Sequence, residues 1–364
     1  MSATSLQRPI QIASRILIFG GIAFVLLYIL VLAEPSPEFG GNWRTTSFGS
    51  ALDDWQSFTR TLLNGLTAAG LLFIVASGFS LIFGLMRVVN MAHGSFYLLG
   101  GYIAYEVQQE MTGEGFTVIS SDVNTWEWIV PALVAVAVIG AVGLVVQQVF
   151  LRWNQGQELR QALITIAISV ILADQVIAHF NDGIAVSLTW PGWTDQLVAL
   201  PLLGIDYSVA RLCVLFLGVM VGGCLWAWLH RTRTGMVIRA GVDDQQMTSA
   251  LGVNIQLIFA IAFVVGSSLA AFGGVVGASQ GAVAAGQDGQ WLLNSLVVVI
   301  IGGMGSLIGA AAGSLLYGLV FAFSAVYLPT TGNNCCTQYS IVVTFVLLAL
   351  VLAVRPQGLF GREA

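Results

Sequence analysis

Ten apolar runs, most of them too long and too poor in charge to sit in water, constrain this chain more than any motif in it. They fall at about 16–33, 61–84, 88–108, 129–150, 161–180, 207–229, 255–279, 290–302, 308–328 and 340–354. Runs of this kind approach the roughly 20 apolar residues that carry a helix across a hydrocarbon core about 30 Å thick. Strict alternation is absent, so they read as helices and not as strands of a membrane barrel. Only 9% of the 364 residues are charged, against about 25% in soluble domains. The expected fold is all-α: a polytopic transmembrane helical bundle of about ten hydrophobic segments.

All thirteen basic residues are Arg, with no Lys. Starting inside and alternating through ten crossings puts Arg8, Arg15, Arg87, Arg152, Arg160, Arg231, Arg233, Arg239, Arg355 and Arg362 on the cytoplasmic side. Only Arg44, Arg60 and Arg211 fall outside. This bias predicts that both termini are cytoplasmic. The net charge of −5 collects in the exterior loops and gives no reason to expect nucleic-acid binding. Arg8 and Arg15 ahead of an apolar run ending in "VLAE" also fit a secretory signal cut after Ala33, which would leave the remaining topology unchanged. Four cysteines show no metal-binding spacing: Cys213 and Cys224 share one run, and Cys335 and Cys336 are adjacent in an exterior loop.

The longest polar connections, 34–60, 181–206 and 230–254, are too short for a soluble domain. Many of the 42 glycines lie inside apolar runs, where small residues let helix backbones approach closely. Two runs look interrupted. "WLLNSLVVVI" ends at "GGMGS" after about a dozen residues, or about 18 Å of helix, which is too little to span. The run after Arg87 opens with Asn90, His93 and Gly94 where Leu or Val would be usual. If 61–180 and 255–354 are two four-helix halves, they enter the membrane from opposite sides. The second helix is then the broken one in each, near its start in the first half and near its end in the second. An inverted repeat is therefore expected, with a solute route near its middle.

Asn90, His93 and Gly94 have the i, i+3, i+4 spacing of one helix face. Two readings fit: a polar pathway lining, or a boundary in which Asn90 and His93 bond the backbone groups left free at a helix start. Asp174, with His179 beyond it, is a carboxylate inside an apolar run and also fits a headgroup-level position. In the loop 230–254, Asp243 and Gln246 make a D-x-x-Q helix start and Gly252 a stop. Between them Met247, Ala250 and Leu251 form a short apolar stripe that needs something to bury it. A groove on a cytoplasmic partner is one candidate. No phosphate-binding G-x-x-x-x-G-K-[ST] loop can exist without Lys, and G-x-S-x-G, H-E-x-x-H and paired carboxylates at catalytic spacing are absent, which disfavours an enzyme.

The run "GFSLIFGLMRVVNMAHGSFYLLGGYIAY" resembles the permease subunits of branched-chain amino-acid (hydrophobic amino-acid uptake) ABC importers. "GMVIRAGVDDQQMTSALGVNIQLIFAIAFVVGSSLAAFGGVV", "VVVIIGGMGSLIGAAAGSLLYGL" and the closing "VRPQGLFGR" are similar to later pieces of the same family, in the same order. The likeness covers roughly 55–364, giving a permease domain at 61–364 behind an extra N-terminal helix and exterior loop at 1–60. It implies a multi-pass protein of the bacterial cytoplasmic (inner) membrane. The implied partners are a second related permease, two cytoplasmic ATPase subunits that hold ATP and magnesium, and an extracytoplasmic substrate-binding protein. This chain itself would bind no cofactor or metal. Carried over by position, Arg239, Asp243, Asp244, Met247, Ala250, Leu251 and Gly252 become ATPase-coupling residues. Asn90, His93 and Gly94, with Gly302, Gly303, Gly305 and Ser306, become translocation-pathway candidates.

The loop 34–60 and the exterior stretch "TTGNNCCTQYS" depart from the pattern. The implied substrate is a branched-chain or other hydrophobic amino acid. Urea, short amides and aromatic carboxylates are the alternatives within the class. An ion-coupled secondary transporter using Asp174, or a structural scaffold, are the alternatives outside it.

Overall fold

The computed structural model describes residues 54–113, 123–180, 184–200, 204–327 and 337–361. The first apolar run with its signal-like flank, most of the loop 34–60, and Cys335 and Cys336 lie outside these residues. The other nine runs each fall on a helix. In chain order these are α1 Trp55–Met86, α2 His93–Thr112, α3 Thr125–Val145, α4 Glu158–His179, α5 Val209–Arg231, α6 Arg233–Asp243, α7 Gln245–Ala250, α8 Ile255–Gln280, α9 Asp288–Gly302, α10 Leu307–Tyr327 and α11 Thr337–Val354. Six of them, α1, α3 with its π-turn extension, α4, α5, α8 and α10, are long and apolar enough to cross a membrane. A short antiparallel pair, β1 Leu197–Leu200 and β2 Ile205–Ser208, precedes α5.

Polar side chains inside the spans satisfy themselves locally. Thr59, Thr61 and Thr67 of α1 donate to the carbonyls of Trp55, Ser57 and Leu63, four residues back. The same economy lets Ser314 and Ser324 sit buried in α10. Bare backbone seams join the helices. Gly78 of α1 faces Gly266 of α8, Gly65 and Ala69 face Gly318 of α10, and Gly70 faces Gly218 of α5. With no hydrophobic driving force between helices in lipid, such contact is the main source of packing energy.

The helix contacts obey a two-fold exchange. α1 packs on α8 at the centre; α8 packs on α2 and α3, and α1 packs on α9 and α10. α2 packs on α3 and α4, as α9 does on α10 and α11, and α2 meets α9. Swapping the set α1–α4 with the set α8–α11 maps these contacts onto one another, except that α10 packs on α11 with no comparable contact between α3 and α4; α5 joins the halves along α1. The packing thus has most of the pseudo-two-fold pattern that an inverted repeat would give, although the two halves share no visible residue pattern. In their windows α1 is 67% buried and α4 only 11%, so α1 forms the axis and α4 faces lipid or another protein.

The break in the second half lies elsewhere than expected. α9 is short because it starts late, at Asp288, after the non-helical stretch 281–287 in which Val283 bridges Val186. "GGMGS" is a tight turn between α9 and α10, with Gly303 at φ 103° and Gly305 at φ 80°, both conformations that a Cβ resists. A cluster of glycines looked like the interruption and is the surface turn. The closing "RPQGLFG" is the cap of α9. The N–H groups of Leu359 and Phe360 donate to the Ile301 and Gly302 carbonyls at 2.9 Å each, occupying acceptors that a helix end leaves free.

Opposite this end, the segments 184–200 and 204–208 are stitched to the bundle. Gln108 exchanges two hydrogen bonds with the backbone of Thr189, Trp190 stacks on Trp128, and the Tyr207 hydroxyl meets Thr67 and Asn64.

A Cβ on Gly274 of α8 would overlap the Tyr97 carbonyl of α2, whereas one on Gly223 of α5 meets nothing within 4 Å. Gly274→Ala should therefore cost about 1–3 kcal/mol and lower the melting temperature in detergent. Gly223→Ala should leave it unchanged, and equal melting of the two variants would contradict this packing.

Candidate functional site

α1 ends at Arg87, which takes the left-handed conformation at φ 55°, the one non-glycine among the described residues to do so. The chain then turns back without helix through 88–92. Asn90 closes this stretch: its Oδ1 accepts from the Ala92 N–H at 3.1 Å and its carbonyl from the His93 N–H at 3.2 Å. Asn90 is thus outside α2, and the expected shared helix face of Asn90, His93 and Gly94 does not form. A polar residue that bonds its own backbone competes with helix and favours a turn.

His93, the first residue of α2, is fully buried. Its Nε2 lies 3.0 Å from the Val75 carbonyl of α1, and because a carbonyl only accepts, Nε2 carries the proton. The ring stands edge-on to Phe79. Val75 is eleven residues short of Met86, about 16 Å along α1, so α2 begins deep inside the bundle. Met91 and Ser95 confirm the level: the Met91 N–H donates to Thr165 Oγ1, and Ser95 Oγ is 2.8 Å from Ser169 Oγ, midway along α4.

The start of α9 meets it there. A Cβ on Gly94 would overlap the Asp288 carbonyl, so glycine is what lets the two helix starts touch. Ser95 Oγ lies 3.4 Å from Asp288 Oδ2, and the ring of Tyr97 stacks on Trp291 with centroids 4.2 Å apart. From Asp288 to Gly302, α9 rises only about 22 Å, so its N-terminus also stops within the membrane thickness. Two half-helices, entering from opposite sides, present their N-termini to each other. Asp288, Ser95, Tyr97 and Trp291 were not singled out from the sequence. The readable signal was "DGQW", a charge and a glycine opening a run too short to span.

Gly302, Gly303, Gly305 and Ser306 lie at the other end of α9. Gly303 packs against the Gly361 N–H, and Gly305 has Gly84 of α1 as its nearest neighbour. Ser306 Oγ accepts from the Gly309 N–H at 3.0 Å, capping α10. Asp174 and His179 are exposed on α4, and His230 stacks on Trp226 at the end of α5, far along the chain from either. Cys213 and Cys224 are free thiols on α5.

The loop 230–254 folds into two helices where one was expected. α6 buries Ile238 against Leu85, Leu229 and Phe259, and leaves Met236 and Arg239 exposed. Asp243 ends α6, and the cap of α7 is Asp244, whose Oδ1 accepts from the Met247 N–H at 3.0 Å. The expected start is thus displaced by one residue, because the second of two adjacent aspartates is the one with extended backbone. Gly252 at φ 83° ends the turn as expected. Met247 is 63% and Leu251 78% exposed, with Ala250 between them also open, so the stripe finds no cover among the described residues. Beside it a cleft of ≈ 550 Å³ opens between three loops, lined by Arg87, Gln155, Glu158, Gln161, Ser249 and Phe259 among others.

Residues 61–352 match the profile of the family described as "Branched-chain amino acid transport system / permease component". The high-affinity branched-chain amino acid transport system permease protein BraD of Pseudomonas aeruginosa is 29% identical over 308 residues, 84% of this chain and 96% of that protein. LivH of Escherichia coli K12, carrying the same description, is 27% identical over 314 residues, again 84% and 96%. Among solved structures, a chain of PsaBC from Streptococcus pneumoniae in complex with Fab overlays with a TM-score of 0.45 at 9% identity, covering 85% of this chain and 96% of that one. At that level the overlay carries no inference.

Proposed function

The chain belongs to the branched-chain amino acid transport system permease family, and on that premise we propose that it forms half of the translocation pathway of an ATP-driven importer for branched-chain or other hydrophobic amino acids. The observation that carries the reading is the meeting of two half-helix N-termini inside the membrane, with Gly94 against Asp288. Backbone ends left without helical partners are tolerated at that depth only beside protein or water. In transporters with inverted halves, such breaks flank the solute. His93 and Gly94 hold this junction together, while Asn90 shapes its approach from the arginine-rich end. Gly302, Gly303, Gly305 and Ser306 support α9 from below, keeping its C-terminus fixed while its N-terminus lines the route.

The arginine-rich end is the cytoplasmic one in this reading, with both termini there. The α6–α7 loop then faces two ATPase subunits. Met247, Ala250 and Leu251 supply the apolar contact, and Arg239 and Asp244 the polar rim beside it. Asp243 ends α6 and sets the elbow between the two helices, and Gly252 releases the chain into α8. A second permease covers the open side of the α2/α9 junction, and an extracytoplasmic binding protein delivers the amino acid at the stitched end formed by 184–200 and 204–208. ATP and magnesium belong to the ATPase subunits.

Uptake of labelled leucine by cells expressing the chain with its neighbouring transport genes, competed by isoleucine, urea and benzoate, tests the substrate. The expected result is saturable leucine uptake displaced by isoleucine. Uptake of urea or benzoate in its place would move the substrate to the alternatives.

Leu251→Asp, which puts a charge in the docking stripe, should uncouple ATP hydrolysis from uptake, while wild-type coupling in that variant would rule out docking there. His93→Leu removes the bond to Val75, worth about 1 kcal/mol, and should reduce uptake at unchanged assembly. Unchanged uptake would make His93 a packing residue only.

A further inference from the structure

Asp288 stands at the junction, partly exposed, at the first position of α9 and with no cationic side chain against it among the described residues. A carboxylate carried to this depth is costly and ordinarily has a partner. Its hydrogen bond to Ser95 is long, 3.4 Å, and no Arg or His pairs with it among the described residues. Deeper in the bundle, on the sealed side, the Tyr97 hydroxyl against Gly277 of α8 and His93 Nδ1 beside α1 are fully buried without a hydrogen-bond partner. The surface beside Asp288 is open. Cβ positions on Gly286 and Gly289 meet nothing within 4 Å, Gln290 is exposed, and Leu293 is 49% exposed. A partly exposed carboxylate at membrane depth, weakly bonded and next to open space, marks a place that something else completes.

The charge balance narrows what that is. Each helix N-terminus carries about half a positive charge, so the two together roughly cancel the carboxylate. The junction is close to neutral overall and strongly dipolar, a match for a zwitterion and a poor one for a net anion or an uncharged amide. Resting on the amino-acid importer reading, we propose that Asp288 receives the α-ammonium group of the amino acid as it passes along the open side of the α2/α9 junction.

The test uses the whole importer, reconstituted in proteoliposomes with its binding protein, carrying Asp288→Asn or Asp288→Glu. Asn keeps the shape and the bond from Ser95 but not the charge; Glu keeps the charge. Losing one charge-assisted contact should lower leucine uptake by about tenfold or more in Asp288→Asn, with leucine-loaded binding protein still stimulating ATP hydrolysis. Asp288→Glu should retain most of the uptake. Wild-type uptake by Asp288→Asn would overturn the assignment and leave the amino-acid reading standing. Loss of stimulated hydrolysis in both variants would make Asp288 a structural residue and also overturn it. Wild-type vesicles that accumulate urea or benzoate and no leucine would overturn the amino-acid reading itself, and this assignment with it.

Discussion

The contact of Gly94 with Asp288 sets what the rest of the bundle must do. Two helices that begin inside the membrane leave several N–H groups each without an intrahelical acceptor, and lipid offers none. The bundle therefore surrounds the junction with its best-packed elements. α1 and α8 pass beside it, joined by the Gly78–Gly266 seam, and α2 is pinned to them by His93 and by Gly100 and Gly274. The far ends of the half-helices are then fixed from outside. Gln108 and the segment 184–190 hold the end of α2, and the backbone of Leu359 and Phe360 caps α9.

This arrangement separates rigid parts from open ones. The side of the junction facing α1 and α8 is sealed, while the side at Gly286, Gly289 and Gln290 is not closed by this chain. The exposed apolar stripe of α7 is the second unfinished surface. In the proposed importer, the first would meet the other permease across the solute and the second would receive force from ATP hydrolysis. α6 lies between them. Its buried residue Ile238 packs against Leu85 near the end of α1, two residues before the left-handed Arg87 that starts the turn toward His93. A push on α7 thus has a packed route to the re-entrant stretch.

Apolar length made the helices legible, and nine runs fall on helices with ends shifted by a few residues. The pairing of the two halves was readable because two runs had something wrong with them, even though only one break was placed correctly. Glycine was the misleading signal: "GGMGS" and the 281–287 stretch are both rich in small residues, and composition does not separate a surface turn from a break within the membrane. What separates them is the level each reaches, which depends on partners more than 50 residues away such as Val186 and Leu359. Asp288 escaped notice for the same reason, since it reads as the polar edge of a run until its neighbour is known to be Gly94. The helix α7 was legible to within one residue because caps and αL glycines act locally, whereas α6 was missed because its buried face is short and its partners are on α1, α5 and α8.

The central claim is that the open side of the α2/α9 junction faces water and not lipid. The most direct measurement is thiol accessibility at Gln290 in the assembled importer, in a variant lacking the four native cysteines. A cysteine at 290 should react with a membrane-impermeant, charged thiol reagent, and leucine supplied during turnover should slow the reaction. A cysteine in place of Leu315, exposed on α10 within the membrane span, should not react. Equal inertness at 290 and 315 would put the junction in lipid and contradict the account.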